Sequence, residues 1–553
     1  NTTGGFNTAV GSGALDANTT ANNNSAFGYF ALGSNTTGTG NTALGQSALT
    51  ANTTASNNTA VGKDCLVSNT TGQTNTATGS LALTSNTTGN SNTAFGHLSL
   101  QENTTGGANT ACGSRALQNN TTADNNTALG RDSLRLNTTG TDNVAVGKGA
   151  LDANTTASNN TAVGNAALAA NTIGSQNVAV GANALDANTD ASLCVAVGYE
   201  SLTANTTGVF NTAVGGKSLH SNTTAARNTA VGHVALRDNT TGANNTAVGD
   251  NSLAANTTGD QNTAVGSNCL DSNTTGDANT GVGRNCLEAN TTGEHNVGVG
   301  FNALQGNTSG NRNTAIGLQS LDDNTTANDN TAVGYRSLYL NTTGDLNTAV
   351  GASALYSNVS GDRMVAVGYE ALYNSNVSAD TFNVAVGYQA GRATTTGYNN
   401  TFLGGEAGKN NTTGINNVCI GVNSESVSGS SSNQFTLGNS STTTLRCNDT
   451  SIGSLSDERD KTEIIDLPIG LDFINKVRPV KFKWASRDGK QGKDGTYEAG
   501  FIAQEFQSVE SSTSVDYLNL VLDDNPDKLE ARPNKLFPVL VKAIQELSAK
   551  VTA

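Results

Sequence analysis

Of the 553 residues, 35 % are hydrophobic and 5 % aromatic, thin material for large globular cores, so a repetitive architecture with a narrow core is expected. A net charge of −15 argues against nucleic-acid binding, which needs clustered Lys and Arg to neutralise phosphates, and points to solubility instead. No run of about 18 apolar residues is present, so no membrane insertion is expected.

From Asn7 an Asn-Thr-Ala-Val-Gly-like pentad returns every 17 residues until Met364. An insertion placed around Tyr373 to Ser375 then adds two residues, and the pattern resumes at Asn383, Asn400, Asn417 and Gln434. A repeat of this length buries its apolar side only by stacking on its neighbours, the mark of a solenoid. Residue 1 falls just ahead of a repeat, so the chain is expected to be truncated at its N-terminus.

With Asn7 as position one, position five is Gly in every copy to Gly368. Position eight is small, position nine is Leu from Leu15 to Leu372, and position twelve is Asn from Asn18 to Asn358. These constraints suggest two strands and two turns per coil. Thr-Ala-Val makes one strand and the segment around Ala-Leu the other, with Leu and Val as core. Gly11 closes one corner, where a Cβ would be excluded, and Asn18-Thr19-Thr20 closes the other. Parallel strands about 4.8 Å apart would give a rod on the order of 120 Å long. Absence of proline from the repeats fits an uninterrupted ladder. Position three stays tiny, as at Ala9, Gly281 and Gly298, which suggests tight packing there and a strand face that meets another chain.

The pentad resembles the head repeats of trimeric autotransporter adhesins, over roughly Asn7 to Gly438. That resemblance implies a parallel β-roll in each of three chains. The late repeats depart from it where Gly391 and Gly408 replace Leu, which leaves the shape of the last coils open.

Several motifs in the repeats have structural readings. Each Asn-Thr-Thr is formally a glycosylation sequon, yet its recurrence at a corner fits Asn and Thr ladders. Ice-binding solenoids usually carry Thr-x-Thr on a flat face, whereas this Thr pair is adjacent and lies at a turn. Cys65, Cys269 and Cys286 occupy position eight as small core fillers. Cys112, Cys194 and Cys419 fall elsewhere in the repeat, Cys447 lies in the connector, and no CxxC spacing occurs. If any disulfide forms, adjacent coils favour Cys269 with Cys286. His97, His220, His233 and His295 form no metal-ligand spacing, and the calcium-binding Gly-Gly-x-Gly-x-Asp pattern and the phosphate loop are missing, so neither metal nor cofactor is expected.

All five prolines and the single tryptophan, Trp484, fall after Ser456, where a second, unlike domain begins. The expected organisation is a repeat shaft over 1–438, a Ser/Thr-rich connector over 439–455 and a C-terminal domain over 456–553. The tail reads Ser456-Asp457-Glu458-Arg459-Asp460-Lys461, then Ile464, then Val477-Arg478-Pro479 to Trp484, then Gly500-Phe501-Ile502-Ala503-Gln504-Glu505. In spacing alone, Ser456 suits an N-cap, with Asp457 and Glu458 against the helix dipole.

Together these blocks resemble the endosialidase-type intramolecular chaperone domains that terminate phage tailspikes and tail fibres. The resemblance implies a domain that helps a fibre trimerise and then cuts itself off. It assigns Ser456 as nucleophile, Lys461 as its base and Leu455–Ser456 as the bond cleaved, in a single-turnover serine endopeptidase reaction. Arg459 would orient carboxylates or stabilise the trimer, and Gln504 and Glu505 would line the site.

Leu536, Leu540, Ile544, Leu547 and Val551 recur at coiled-coil spacing, preceded or opened by Pro533 and Pro538. Either this is a trimeric seam or an amphipathic helix packed on its own domain. The fold class expected is therefore mostly β: a homotrimeric parallel β-solenoid of 17-residue coils, then a small α+β chaperone domain ending in a coiled-coil helix. The function expected is a phage tail fibre on the virion that meets a host receptor, a glycan or a surface protein. A cellular surface adhesin or extracellular filament with the same chaperone is the alternative. A glycan-degrading enzyme is disfavoured, since no paired-carboxylate domain intervenes.

Overall fold

In the computed structural model the described residues are 1–378, 380–442, 444–446, 456–485, 496–523 and 529–552. They form two compact units, Asn1–Ala352 and Ser353–Ala553. The first is a parallel β-solenoid whose three-residue strands run from Thr8–Val10 to Thr348–Val350, one per coil. Consecutive strands of this unit pair in register, as Thr246, Ala247 and Val248 do with Thr263, Ala264 and Val265. In this unit the 21 strands span roughly 100 Å.

The coil differs from expectation in its second half. The Ala-Leu segment is a series of turns, because position-seven and position-nine residues adopt left-handed backbone, such as Ser47 at φ 58° and Leu49 at φ 54°. Consecutive residues Ala48 and Leu49 are both fully buried, whereas the alternation of a strand would send one of them to the outer face of the coil. Left-handed leucine costs about 1–2 kcal/mol, and burying its side chain returns a comparable amount. Coils remain hydrogen-bonded here, through Leu49 N–H to the Cys65 carbonyl at 3.0 Å and Ala51 N–H to Val67 at 3.0 Å. The glycine corner is as expected: Gly45 has φ 142°, and a Cβ there would lie 2.4 Å from the Gly62 carbonyl oxygen.

The core is also composed differently. Position-four valines face outward, with Val248 36 % and Val265 37 % exposed, so leucine and small residues fill the interior without them. Position three is tiny because of its own chain: a Cβ on Gly281 would sit 2.5 Å from Cys269 Sγ, and one on Gly298 equally close to Cys286 Sγ. That packing is internal and does not require a neighbouring chain. Cys269 and Cys286 are free thiols; a hydrogen bond with Cys286, then burial, pushes the Cys269 thiol up.

Two buried asparagine ladders complete the interior. Asn41 N–H donates to Asn24 Oδ1 at 2.9 Å, and Asn52 Nδ2 donates to Asn35 Oδ1 at 3.0 Å. Both side-chain amides also converge on the Ala55 carbonyl. Asn52, like the other Asn-Thr-Thr asparagines from Asn18 to Asn411, is buried, so the repeated Asn-Thr-Thr serves the ladder. At Cys194, which replaces a position-one Asn, the thiol takes the role of the amide and donates to Gly208 at 3.3 Å.

The second unit repeats the same coil through strands Val365–Val367 to Phe435–Leu437. Its insertion lies later than expected. Ser375 and Asn376 keep normal register, with Asn376 N–H on the Thr395 carbonyl at 3.0 Å, and the extra residues are absorbed between Asn376 and Thr381. Late glycines keep the coil intact: Phe402 replaces the usual position-three Ala and fills the space of two leucines, its ring 2.6 Å and 2.2 Å from where Cβ atoms of Gly391 and Gly408 would be.

Beyond residue 456 the unit holds helices α1 (Leu471–Ile474), α2 (Ala503–Thr513) and α3 (Phe537–Thr552) with two short antiparallel strand pairs. Phe473, Phe506, Leu520, Leu536 and Val539 share one core. Among the described residues no helix is long and apolar enough to cross a membrane.

Candidate functional site

Ser456 and Lys461 flank a single 3-10 turn, Glu458–Asp460. The turn is capped by Asp457, not Ser456: Asp457 Oδ1 accepts from Arg459 N–H at 2.9 Å. Arg459 also folds its guanidinium back on that carboxylate, which lies below the usual carboxylate range for this reason. The cap leaves the Ser456 hydroxyl available to another partner. Five residues on, the chain has turned enough for Lys461 Nζ to reach Ser456 Oγ at 2.5 Å and the Ser456 carbonyl at 3.3 Å. Both residues are exposed. Leu455, the other side of the expected scissile bond, lies outside the described residues.

Lys461 also borders an open cavity of about 500 Å³ with Ile464, Ile465, Leu467, Pro468 and Tyr517. Ile464 thus lies beside Lys461, and Tyr517 is brought in from beyond α2. Nothing in the spacing of Tyr517 signalled this, because its approach depends on the tertiary fold.

The remaining blocks are joined to one another. Val480–Phe482 pairs with Glu498–Gly500. Trp484 Nε1 donates to Glu498 at 3.1 Å. Arg478 forks onto Glu505, with Nε 3.1 Å from Oε2, and this pair holds the Glu505 carboxylate below its ordinary range. Glu505 is therefore a structural ion-pair partner on the first turn of α2, and Gln504 beside it is exposed.

Helix α3 shows two faces. Val539 and Ala543 are buried in the domain, and Glu546 accepts the Leu471 N–H at the start of α1 at 2.9 Å. Leu536, expected in the seam, belongs to the domain core. The other seam residues stay exposed, Ile544 at 66 % and Val551 at 79 %. One face thus packs on its own domain, and the opposite face keeps its apolar residues uncovered.

Residues 456–515 match the family model described as chaperone of endosialidase. The match begins at Ser456 and covers the Ser456–Lys461 turn, the Arg478–Glu505 pair and α2. No curated protein matches the chain. A solenoid of 17-residue coils followed by this domain fits a tail fibre with a C-terminal chaperone, and the matched family supports a role in trimer assembly.

Proposed function

We propose that this chain is one of three identical subunits of a fibre of the phage tail type. Its solenoid displays surface for host attachment, and its C-terminal domain gathers the chains and then releases itself. The observation that carries the release step is the 2.5 Å contact between Lys461 Nζ and Ser456 Oγ at the start of the matched segment.

A serine hydroxyl is a weak nucleophile until a base accepts its proton, and a lysine amine does so only in its neutral form; Lys461, exposed in the single chain, would reach that form once the assembled trimer buries it. Ser456 Oγ attacks the Leu455 carbonyl carbon while Lys461 takes the hydroxyl proton. As the C–N bond breaks, that proton passes to the Ser456 amine, leaving Leu455 as an ester on Ser456 Oγ. Water then hydrolyses the ester and restores the hydroxyl. Each chain reacts once.

The test is gel analysis of Ser456→Ala and Lys461→Ala beside the unaltered chain. Fragments of about 455 and 98 residues are expected from the unaltered chain, and intact protein from both variants. The same fragments from Ser456→Ala would end the assignment.

A further inference from the structure

In the second unit position six, just after the glycine corner, carries Tyr369, Tyr388, Gly405 and Val422 in successive coils, and the three side chains are exposed. Tyr369 and Tyr388 stack with centroids 5.4 Å apart and planes 12° from parallel. The stack therefore runs along the coil axis, and one face of Tyr388 is covered. Its other face looks toward the next coil, where Gly405 supplies no side chain and an added Cβ would meet nothing within 4 Å. Val422, 60 % exposed, stands one coil further. Tyr388 and Val422 are two coil spacings apart, roughly 9–10 Å, so the missing rung leaves room for one ring.

The edge of this slot is polar. Glu406 follows Gly405 directly and is ion-paired with Lys409, whose Nζ lies 3.5 Å from Asn423 Oδ1. A carboxylate and an ammonium of the Gly405 coil and an amide of the Val422 coil are thus joined beside the gap. Among the repeats glycine takes position six at only one other coil, Gly216, again directly after a tyrosine, Tyr199. There the His233 ring comes within 3.7 Å of where the Cβ would be, so that gap is partly filled.

We infer that the slot over Gly405 binds one pyranose ring of a glycan, stacked on the open face of Tyr388, with its hydroxyls held by Glu406, Lys409 and Asn423. A pyranose has flat C–H faces, which suit the negative face of an aromatic ring, and an edge of hydroxyls that need both donors and acceptors. A nucleobase would also stack, but the net charge of −15 opposes its phosphates. This inference rests on reading the shaft as an attachment surface.

The experiment titrates the full chain with neutral, N-acetylated and uronic pyranose oligosaccharides by saturation-transfer NMR and calorimetry. At least one class should bind, Tyr388→Ala should weaken it roughly tenfold or more, and Tyr388→Phe should keep it. Gly405→Tyr should extend the stack, preserve thermal stability and abolish binding; tyrosine is already accommodated at position six in Tyr335. Binding that survives both Tyr388→Ala and Gly405→Tyr overturns the slot and leaves the attachment reading standing. No binding by any oligosaccharide at millimolar concentration overturns the slot and the glycan form of attachment together.

Discussion

Asp322 shows how much an otherwise regular coil tolerates at one side chain. It is only 8 % exposed, its Oδ1 has no hydrogen-bond partner, and Oδ2 accepts from Gln319 Nε2 at 3.3 Å. Burial first, and the neighbouring Asp323 charge second, push its carboxyl up to about 6. A carboxyl raised in this way binds protons more tightly folded than unfolded, so stability is greatest below the unfolded value near 4 and falls as pH rises through 6. Asp322→Asn should therefore be nearly neutral at pH 4 and stabilise the local coils by on the order of 2 kcal/mol at pH 7.5. Hydrogen exchange of these coils at the two pH values checks it, and an equal effect at both would refute the argument. The charge was visible in the sequence. Its burial was not, because neighbouring position-ten residues such as Gln305 look equally polar.

At the scale of the coil, the period and both corners were legible, since Gly45 answers a local demand that only glycine meets and Asn52 belongs to a buried ladder. The second strand was misread for an identifiable reason. Positions eight and nine are small and Leu in coil after coil, and both side chains turn inward, as Ala48 and Leu49 do, which the left-handed backbone of Leu49 allows. The pairing of Phe402 with Gly391 and Gly408 was hidden because it links position three to position nine across coils. It makes a firm prediction. Phe402→Ala should open a cavity costing about 3–5 kcal/mol. Adding Gly391→Leu and Gly408→Leu should recover most of that, because leucine already adopts this backbone at position nine, as Leu372 does with φ 50°. Gly408→Leu alone should destabilise, since its Cβ would lie 2.2 Å from the Phe402 ring. Thermal melts of the three variants decide it, and failure of the rescue would separate Phe402 from the two glycines.

For the whole molecule, regularity itself is the hazard. Near-identical coils can pair out of register by any multiple of 17 residues, and each such slip satisfies the same ladders. A nucleus that aligns chains at one end before the shaft forms would suppress these errors. Helix α3 has the two faces such a nucleus needs. Val539 and Ala543 fix one of them to the domain, while Leu540, Ile544, Leu547 and Val551 remain uncovered on the other. An exposed apolar stripe on an anchored helix is costly to a lone chain and useful to an associating one. Ile544→Asp with Leu547→Asp should leave the domain folded, because neither side chain enters its core, as Trp484 fluorescence will report. The same change should convert a three-chain species into single chains on sedimentation, and shafts refolded from it should aggregate or mispair. If the variant sediments as the unaltered chain does, the helix is not the nucleus, and alignment of the coils must begin in the solenoid itself.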